Sequence, residues 1–115
     1  MSRVRIEDNN LVITMQGIRK VLTLKSDLVI PLENIVSAVA DPAAGKKLNK
    51  GWRVGTEVGF YSGGTFWQQG RKAFYDLART EDAVVLTLQN CDFDEIFIGV
   101  EDPPATAQYI QSALS

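Results

Sequence analysis

The sequence contains no histidine, and this absence excludes several kinds of chemistry. A chain without histidine can form neither a Ser-His-Asp nor a Cys-His nucleophile, and it has no imidazole to bind a metal. The single cysteine, Cys91, cannot form an intramolecular disulfide, which favours a reducing compartment. We therefore expect a cytoplasmic protein that is not an enzyme and that uses neither a metal nor another cofactor.

Long apolar runs and internal repeats are missing as well. Segments such as Ala83–Leu86 are far shorter than the roughly 20 apolar residues of a membrane-spanning helix. The segment Met1–Asp8 has no apolar stretch behind its arginines, so it does not predict a signal peptide. The 115 residues are 45% hydrophobic and 23% charged, which is typical of one globular domain over 1–115. The net charge of -2 argues against a nucleic acid as partner.

Alternation of apolar and polar residues predicts a mainly β fold. Seven short segments indicate strands: 4–7, 11–16, 28–32, 36–40, 73–77, 84–89 and 96–100. Asn9-Asn10 predicts a tight hairpin turn, because asparagine tolerates a positive φ. The runs at 84–89 and 96–100 predict a second hairpin. The segment from Ile18 to Lys25 fits a short helix about as well as a strand.

Two proline positions add detail to this prediction. Pro31 has no backbone N–H, so we expect it at a sheet edge or at a bend. Near the C-terminus, Asp102 is suited to cap a helix whose first residue is Pro103. Apolar residues then recur at helical spacing, with glutamines and a serine on the other side. The apolar set is Ala107, Ile110, Ala113 and Leu114, and the polar set is Gln108, Gln111 and Ser112.

Several segments resemble a family of small bacterial pleckstrin-homology-like (PH-like) proteins. They are Leu28–Ile35, Arg53–Thr56, Gly64–Phe66 and Val100–Pro103, the last followed by Ala105–Ala107 and Ile110. The resemblance implies a PH-like barrel of about seven antiparallel strands in two sheets, with the C-terminal helix covering its open end. It also implies a scaffolding role, in which the domain binds lipids, peptides or partner subunits.

A cluster of positive charge is the first candidate site. Lys46, Lys47, Lys50 and Arg53 lie within eight residues, next to Trp52. Lipid-binding PH domains hold phosphate groups with lysine and arginine in a loop between early strands, and each cation near an anionic surface contributes about 1 kcal/mol. The alternative interpretation is a solvated loop.

Aromatic residues between glycines form the second candidate site. Trp52, Phe60, Tyr61 and Trp67 could present a surface that binds a protein, because tryptophan and tyrosine are favoured anchors at interfaces. Alternatively, the rings of this segment fill the interior of a small barrel, and the glycines permit bulges and close turns.

Two further features favour structural interpretations. The acidic residues near the C-terminus do not have the spacing of an EF-hand loop, so we interpret them as a solvated turn and a helix cap. They are Asp92, Asp94, Glu95, Glu101 and Asp102. Cys91 lies beside Asp92, whose negative charge disfavours a thiolate, so we expect no reactivity.

The sequence therefore predicts a PH-like module that binds a protein partner or associates with itself. Edge strands suit this role, because they can pair with a peptide or with a second subunit. The alternative is peripheral binding to an anionic membrane surface through residues 46–53.

Overall fold

The computed structural model describes residues 2–15, 27–41, 52–58, 61–68, 70–78 and 82–114, with the backbone alone for 52–58, 61, 62, 68 and 78. These residues form two sheets and a C-terminal helix, so the predicted mainly β fold is confirmed. The strands are β1 (Ser2–Glu7), β2 (Asn10–Met15), β3 (Asp27–Pro31), β4 (Ile35–Asp41), β5 (Trp52–Val58), β6 (Tyr61–Gln68), β7 (Arg71–Ala78), β8 (Ala83–Leu88) and β9 (Glu95–Gly99). A 3-10 helix (Leu32–Asn34) joins β3 to β4, and helix α1 is Pro103–Ala113.

The small sheet has the order β1-β2-β3 and is antiparallel. Asp8 and Asn9 turn the chain between β1 and β2 with φ values of 52° and 63°, as a two-residue type I′ loop requires. The sequence placed this turn one residue later, but Asn10 already pairs with Glu7 as the first residue of β2. Leu11, Ile13 and Met15 all point to the buried side of β2, as their alternation predicted.

The large sheet has the order β4-β8-β9-β7-β6-β5. Strands β7 and β9 are parallel and the other neighbours are antiparallel, so the expectation of antiparallel strands throughout is wrong at this pair. The chain reverses once after β7 and again after β8. Strand β9 therefore runs in the direction of β7 and pairs with it from between β7 and β8.

The described residues contain nine strands where the sequence predicted about seven. The two additional strands are β5 and β6, in the segment rich in glycine. Glycine lowers strand propensity and carries no side chain that could show an alternation, so this pair was not recognised. The predicted arrangement in two sheets is confirmed, but the sheets remain separate with their own edge strands and do not close into a barrel.

The hydrophobic core lies between the two sheets. Its buried residues come from β2 and β3 on one side, and from β4, β7, β8 and β9 on the other. They include Leu11, Ile13, Leu28, Ile30, Ala38, Phe74, Val84, Leu86, Ile96 and Ile98. Each large apolar side chain buried here stabilises the fold by about 1.5–3 kcal/mol.

Helix α1 begins as the sequence predicted. The Asp102 carboxylate (Oδ1) accepts a hydrogen bond of 3.1 Å from the backbone N–H of Ala105, which caps the first turn. Pro103 follows as the first helical residue. Ala107 and Ile110 are buried and belong to the core between the sheets.

Helix α1 also binds an edge of each sheet. The Tyr109 hydroxyl accepts a hydrogen bond of 3.2 Å from the backbone N–H of Ile6 in β1. The Gln111 side-chain amide donates one of 3.1 Å to the backbone carbonyl of Ala38 in β4. Ile110, between these two residues, points into the core. The helix therefore closes the gap between the sheets. Gln111 is exposed, as its place on the polar side of the helix predicted, and it also bonds to β4.

A buried polar pair joins the sheets at another point. The Ser2 hydroxyl in β1 donates a hydrogen bond to the carboxylate of Asp76 in β7. Both residues are buried, with Asp76 fully enclosed. A buried carboxylate requires hydrogen-bond partners, so this contact fixes the start of β1 over the middle of the large sheet.

Aromatic rings pack on the face of the large sheet that is turned away from the small sheet. Tyr75 contacts Phe66 edge-on, at 4.9 Å between ring centroids, and stacks on Phe97 at 4.5 Å. Tyr75 is 8% exposed, and its burial, reinforced by the negative charge of Glu95, raises the pKa of the phenol to about 12.

No helix within the described ranges is long and apolar enough to cross a membrane.

Candidate binding site at the free edge of strand β3

Strand β3 is an edge strand, because among the described strands it pairs only with β2. The backbone of Ile6 in β1 faces away from β2, since its N–H is bonded to Tyr109. Leu11 is the register partner of Ile6, so its backbone groups also face away from the β1–β2 interface and bond to Ile30 of β3. The bonding direction alternates along an antiparallel strand, so the residues on either side of Ile30 bond in the opposite direction. The backbone groups of Asp27, Val29 and Pro31 therefore face the free edge of β3, on the side opposite to β2.

Pro31 occupies the position at which a missing N–H is tolerated. It is the last residue of β3 and it faces the free edge, so no hydrogen bond of the small sheet is lost. The prediction that Pro31 lies at an edge or a bend is confirmed on both counts, because the 3-10 helix begins directly after it. Val29, in the middle of the strand, is 61% exposed.

A groove runs beside this edge. It has a volume of about 330 Å³ and its floor is formed by core residues of both sheets. We call it the β3 groove, lined by Leu28, Val29, Ile30, Pro31, Leu88, Asn90, Cys91, Asp92, Phe93 and Ile96. A volume of this size accommodates one or two apolar side chains and lies at the lower end of the range for ligand sites.

The far wall of the β3 groove is the loop between β8 and β9. Asp94 is bonded to Lys72 of β7 in two ways: its backbone N–H donates to the Lys72 carbonyl at 2.7 Å, and its carboxylate accepts from the Lys72 N–H at 2.8 Å. The Gln89 N–H donates to the carbonyl of Asn34 at 2.8 Å. These bonds hold both ends of the loop, so the wall is formed before any ligand binds.

Phe93 anchors the middle of the same loop. Its ring packs on that of Phe74 at 5.6 Å, and the Lys72 ammonium lies 5.0 Å from its centroid. Asn90 turns the chain into the loop with a φ of 56°, which asparagine adopts more readily than most residues. The loop therefore presents an apolar ring and the partly buried Cys91 to the groove.

The edges of β1 and β4 are less accessible. The N–H of Ile6 on β1 is already hydrogen-bonded to Tyr109, and the carbonyl of Ala38 on β4 is already hydrogen-bonded to Gln111. Strand β4 also contains a register shift between Ile35 and Ser37, which bends the strand. Strand β5 is the remaining edge of the large sheet. Of the three edges with described side chains, β3 is the one without a contact to helix α1 at its outward backbone groups.

Most of the predicted basic site lies outside the described residues. Lys46, Lys47 and Lys50 lie outside the described residues, and Arg53 is placed by its backbone alone, as the second residue of β5. The hypothesis that these four residues bind an anionic ligand stays a prediction.

The predicted aromatic site is described in part. Trp52 is opposite Trp67 in the register of β5 and β6, and Tyr61 begins β6, whereas Phe60 lies outside the described residues. Trp67 is half-buried, and the Lys72 ammonium lies 5.7 Å from its ring centroid. The ammonium of Lys72 therefore lies near the rings of both Trp67 and Phe93.

The acidic residues mostly have structural roles. Asp102 caps helix α1, Asp94 holds the loop to β7, and Glu95 pairs with Arg71 at 3.4 Å. Within the described ranges, no three acidic or cysteine side chains come together as a metal site would require. The proline signal in the sequence pointed to the β3 edge. No comparable signal identified the loop that completes the groove, because its Phe93 and Asp94 act through contacts distant in sequence.

Comparison of the chain with protein-family models, with curated proteins and with solved structures found no match.

Proposed function

We propose that this chain is a non-enzymatic binding and assembly module of the PH-like type, which works in the cytoplasm and binds an extended segment of a protein. The segment adds to the small sheet as a strand next to β3. One observation carries the proposal: the outward backbone groups of β3 lie beside a preformed groove with an apolar floor. In strand addition, main-chain hydrogen bonds supply affinity and pockets for alternate side chains supply specificity.

The groove determines what kind of segment fits. Side chains of the added strand that point the same way as Leu28 and Ile30 enter the β3 groove, whose floor is apolar. The side chains between them point to the outer face of the small sheet, where Arg5 and Val29 are exposed. We therefore expect a segment with an apolar residue at every second position and polar residues between them.

A displayed library of linear peptides, long enough to cover the five residues of β3, tests this proposal. Peptides selected on the wild-type protein should show the period-two apolar pattern. Val29→Pro removes the outward N–H at the centre of the edge and should weaken their binding about tenfold or more, because one main-chain hydrogen bond is worth about 1.5 kcal/mol. Affinity is measured by fluorescence anisotropy of a labelled peptide.

Val29→Ala is the matched control, because it shortens the side chain and keeps the N–H. It should bind the selected peptides within a few-fold of the wild type, and both variants should unfold in urea near the wild-type midpoint. If Val29→Pro is folded and binds as tightly as Val29→Ala, main-chain pairing at β3 is not the mode of binding.

A second proposal, peripheral binding of anionic lipid headgroups through residues 46–53, is supported by the four cations in that segment. We expect the wild type to sediment with vesicles of phosphatidylserine and phosphatidylcholine at low salt and to be released as the salt concentration rises. A variant with Lys46, Lys47 and Lys50 changed to glutamate should not sediment with them. Equal sedimentation of the wild type and this variant would contradict lipid binding through the segment.

A further inference from the structure

We propose that the strand added at the free edge of β3 is β3 of a second copy of this chain, antiparallel, with Val29 opposite Val29 of the second copy. The proposal rests on the proposed function, because it needs β3 to accept a strand. The resulting dimer has a two-fold axis through the central valines, and the two small sheets become one continuous sheet.

The backbone groups that face the free edge are complementary to themselves in this register. Val29 and its counterpart exchange a pair of main-chain hydrogen bonds, N–H to carbonyl in both directions. Asp27 is then opposite Pro31 of the second copy, and its N–H donates to that proline's carbonyl. Pro31 has no N–H, so its only main-chain group at the edge is the acceptor that Asp27 needs.

Charge favours this register over the alternatives. The two Asp27 residues are separated by four positions along the paired strands, which is about 13 Å and exceeds a physiological Debye length of about 8 Å. Parallel in-register pairing places the two Asp27 residues on neighbouring strands, roughly 4.8 Å apart. Sliding the antiparallel strands until Pro31 is opposite Pro31 of the second copy removes both central donors.

The side chains at the seam give the interface its apolar content. On the outer face of the small sheet, Val12 is the register partner of Val29. The dimer extends this pair into a row of four valines across the two copies. Val29 is 61% exposed in the single chain, whereas Val12 is already buried, with 7% exposed. Pairing therefore covers one flank of Val29, the most exposed large apolar side chain of the described residues.

Molecular mass in solution is the first test, measured by light scattering on a size-exclusion column. The wild type should have twice the 12.7 kDa of one chain and should dissociate on dilution. Val29→Lys places two like charges opposite each other and should reduce the mass to that of one chain. Val39→Lys is the matched control, because Val39 is 54% exposed on edge strand β4, and it should leave the dimer intact.

A cross-link tests the register directly. In a Cys91→Ala background, Val29→Cys places two thiols opposite each other, with α-carbons about 5.5 Å apart, a distance that a disulfide can span. Mild oxidation should convert this variant to a covalent dimer. Val39→Cys in the same background should remain monomeric on a denaturing gel.

The outcomes separate this inference from the proposed function. A monomeric wild type that binds the selected peptides through Val29 overturns self-pairing and retains strand addition. A monomer that binds no peptide overturns both. A dimer that survives Val29→Lys and does not cross-link at position 29 has its interface elsewhere, which also overturns the inference. A dimer that cross-links and that the selected peptides dissociate supports both.

Discussion

Ile110→Ala should lower the free energy of unfolding by about 2–5 kcal/mol, measured in urea at neutral pH. The Ile110 side chain is fully buried in the core between the sheets. Its truncation removes buried apolar surface and leaves a cavity, into which the surrounding side chains relax only in part. A domain of this size has only about 5–15 kcal/mol of stability, so the unfolding midpoint should shift by a large part of its value.

The helix supplies matched controls for this variant. Gln108 is exposed, and Gln108→Ala should change the free energy of unfolding by less than about 0.5 kcal/mol. Gln111→Ala should fall between the two, at about 0.5–1.5 kcal/mol, because it removes the hydrogen bond to the carbonyl of Ala38. If Ile110→Ala unfolds at the same urea concentration as Gln108→Ala, helix α1 does not stabilise the sheets.

Above pH 10, the stability contributed by Tyr75 should be lost. The folded protein holds the pKa of this phenol at about 12, mainly because the ring is buried and secondly because Glu95 is negative. In the unfolded chain the phenol ionises near pH 10, so alkali favours the unfolded state between the two values. The contribution is complete below pH 10, and about 2–3 kcal/mol of it should be lost by pH 12.

Tyr75→Phe isolates this effect from the other groups that titrate in alkali. The difference in free energy of unfolding between the wild type and Tyr75→Phe should be nearly constant up to pH 9 and should then shift by that amount. The ultraviolet absorbance of tyrosinate reports the same ionisation in the folded protein. Glu95→Gln should lower the pKa of Tyr75 only in part, because burial is the larger cause. A constant difference up to pH 12 would show that the phenol is accessible to water in the folded state.

Features that depend on residues close together in the sequence were predicted from the sequence alone. The alternation of Leu11, Ile13 and Met15 identified β2 and its buried side, because the side chains of a strand alternate between its two faces. Asp102 and Pro103 identified the start of helix α1, because capping involves residues only a few positions apart. Pro31 identified an edge, because a residue without an N–H is poorly tolerated inside a sheet.

The tertiary structure decided the features that depend on distant residues. The parallel pairing of β7 with β9 comes from the order in which strands enter the sheet, and no residue of either strand encodes it locally. The glycine-rich β5 and β6 are strands because each has a partner along its whole length, although their propensity is low.

The candidate site also depends on contacts between residues that are distant in sequence. The β3 groove exists because Asp94 bonds to Lys72 and Phe93 packs on Phe74, and these contacts bring the loop between β8 and β9 opposite Val29. Gln111 bonds to the carbonyl of Ala38 because helix α1 lies between two sheet edges. The amphipathic pattern of the helix does not specify that position. Periodicity and capping report on neighbours in the chain, whereas a binding site is made of neighbours in space. The sequence by itself therefore determined seven of the nine described strands, the helix and the edge position of Pro31. The packing of the two sheets decided which edge is free among the described strands and what lies beside it.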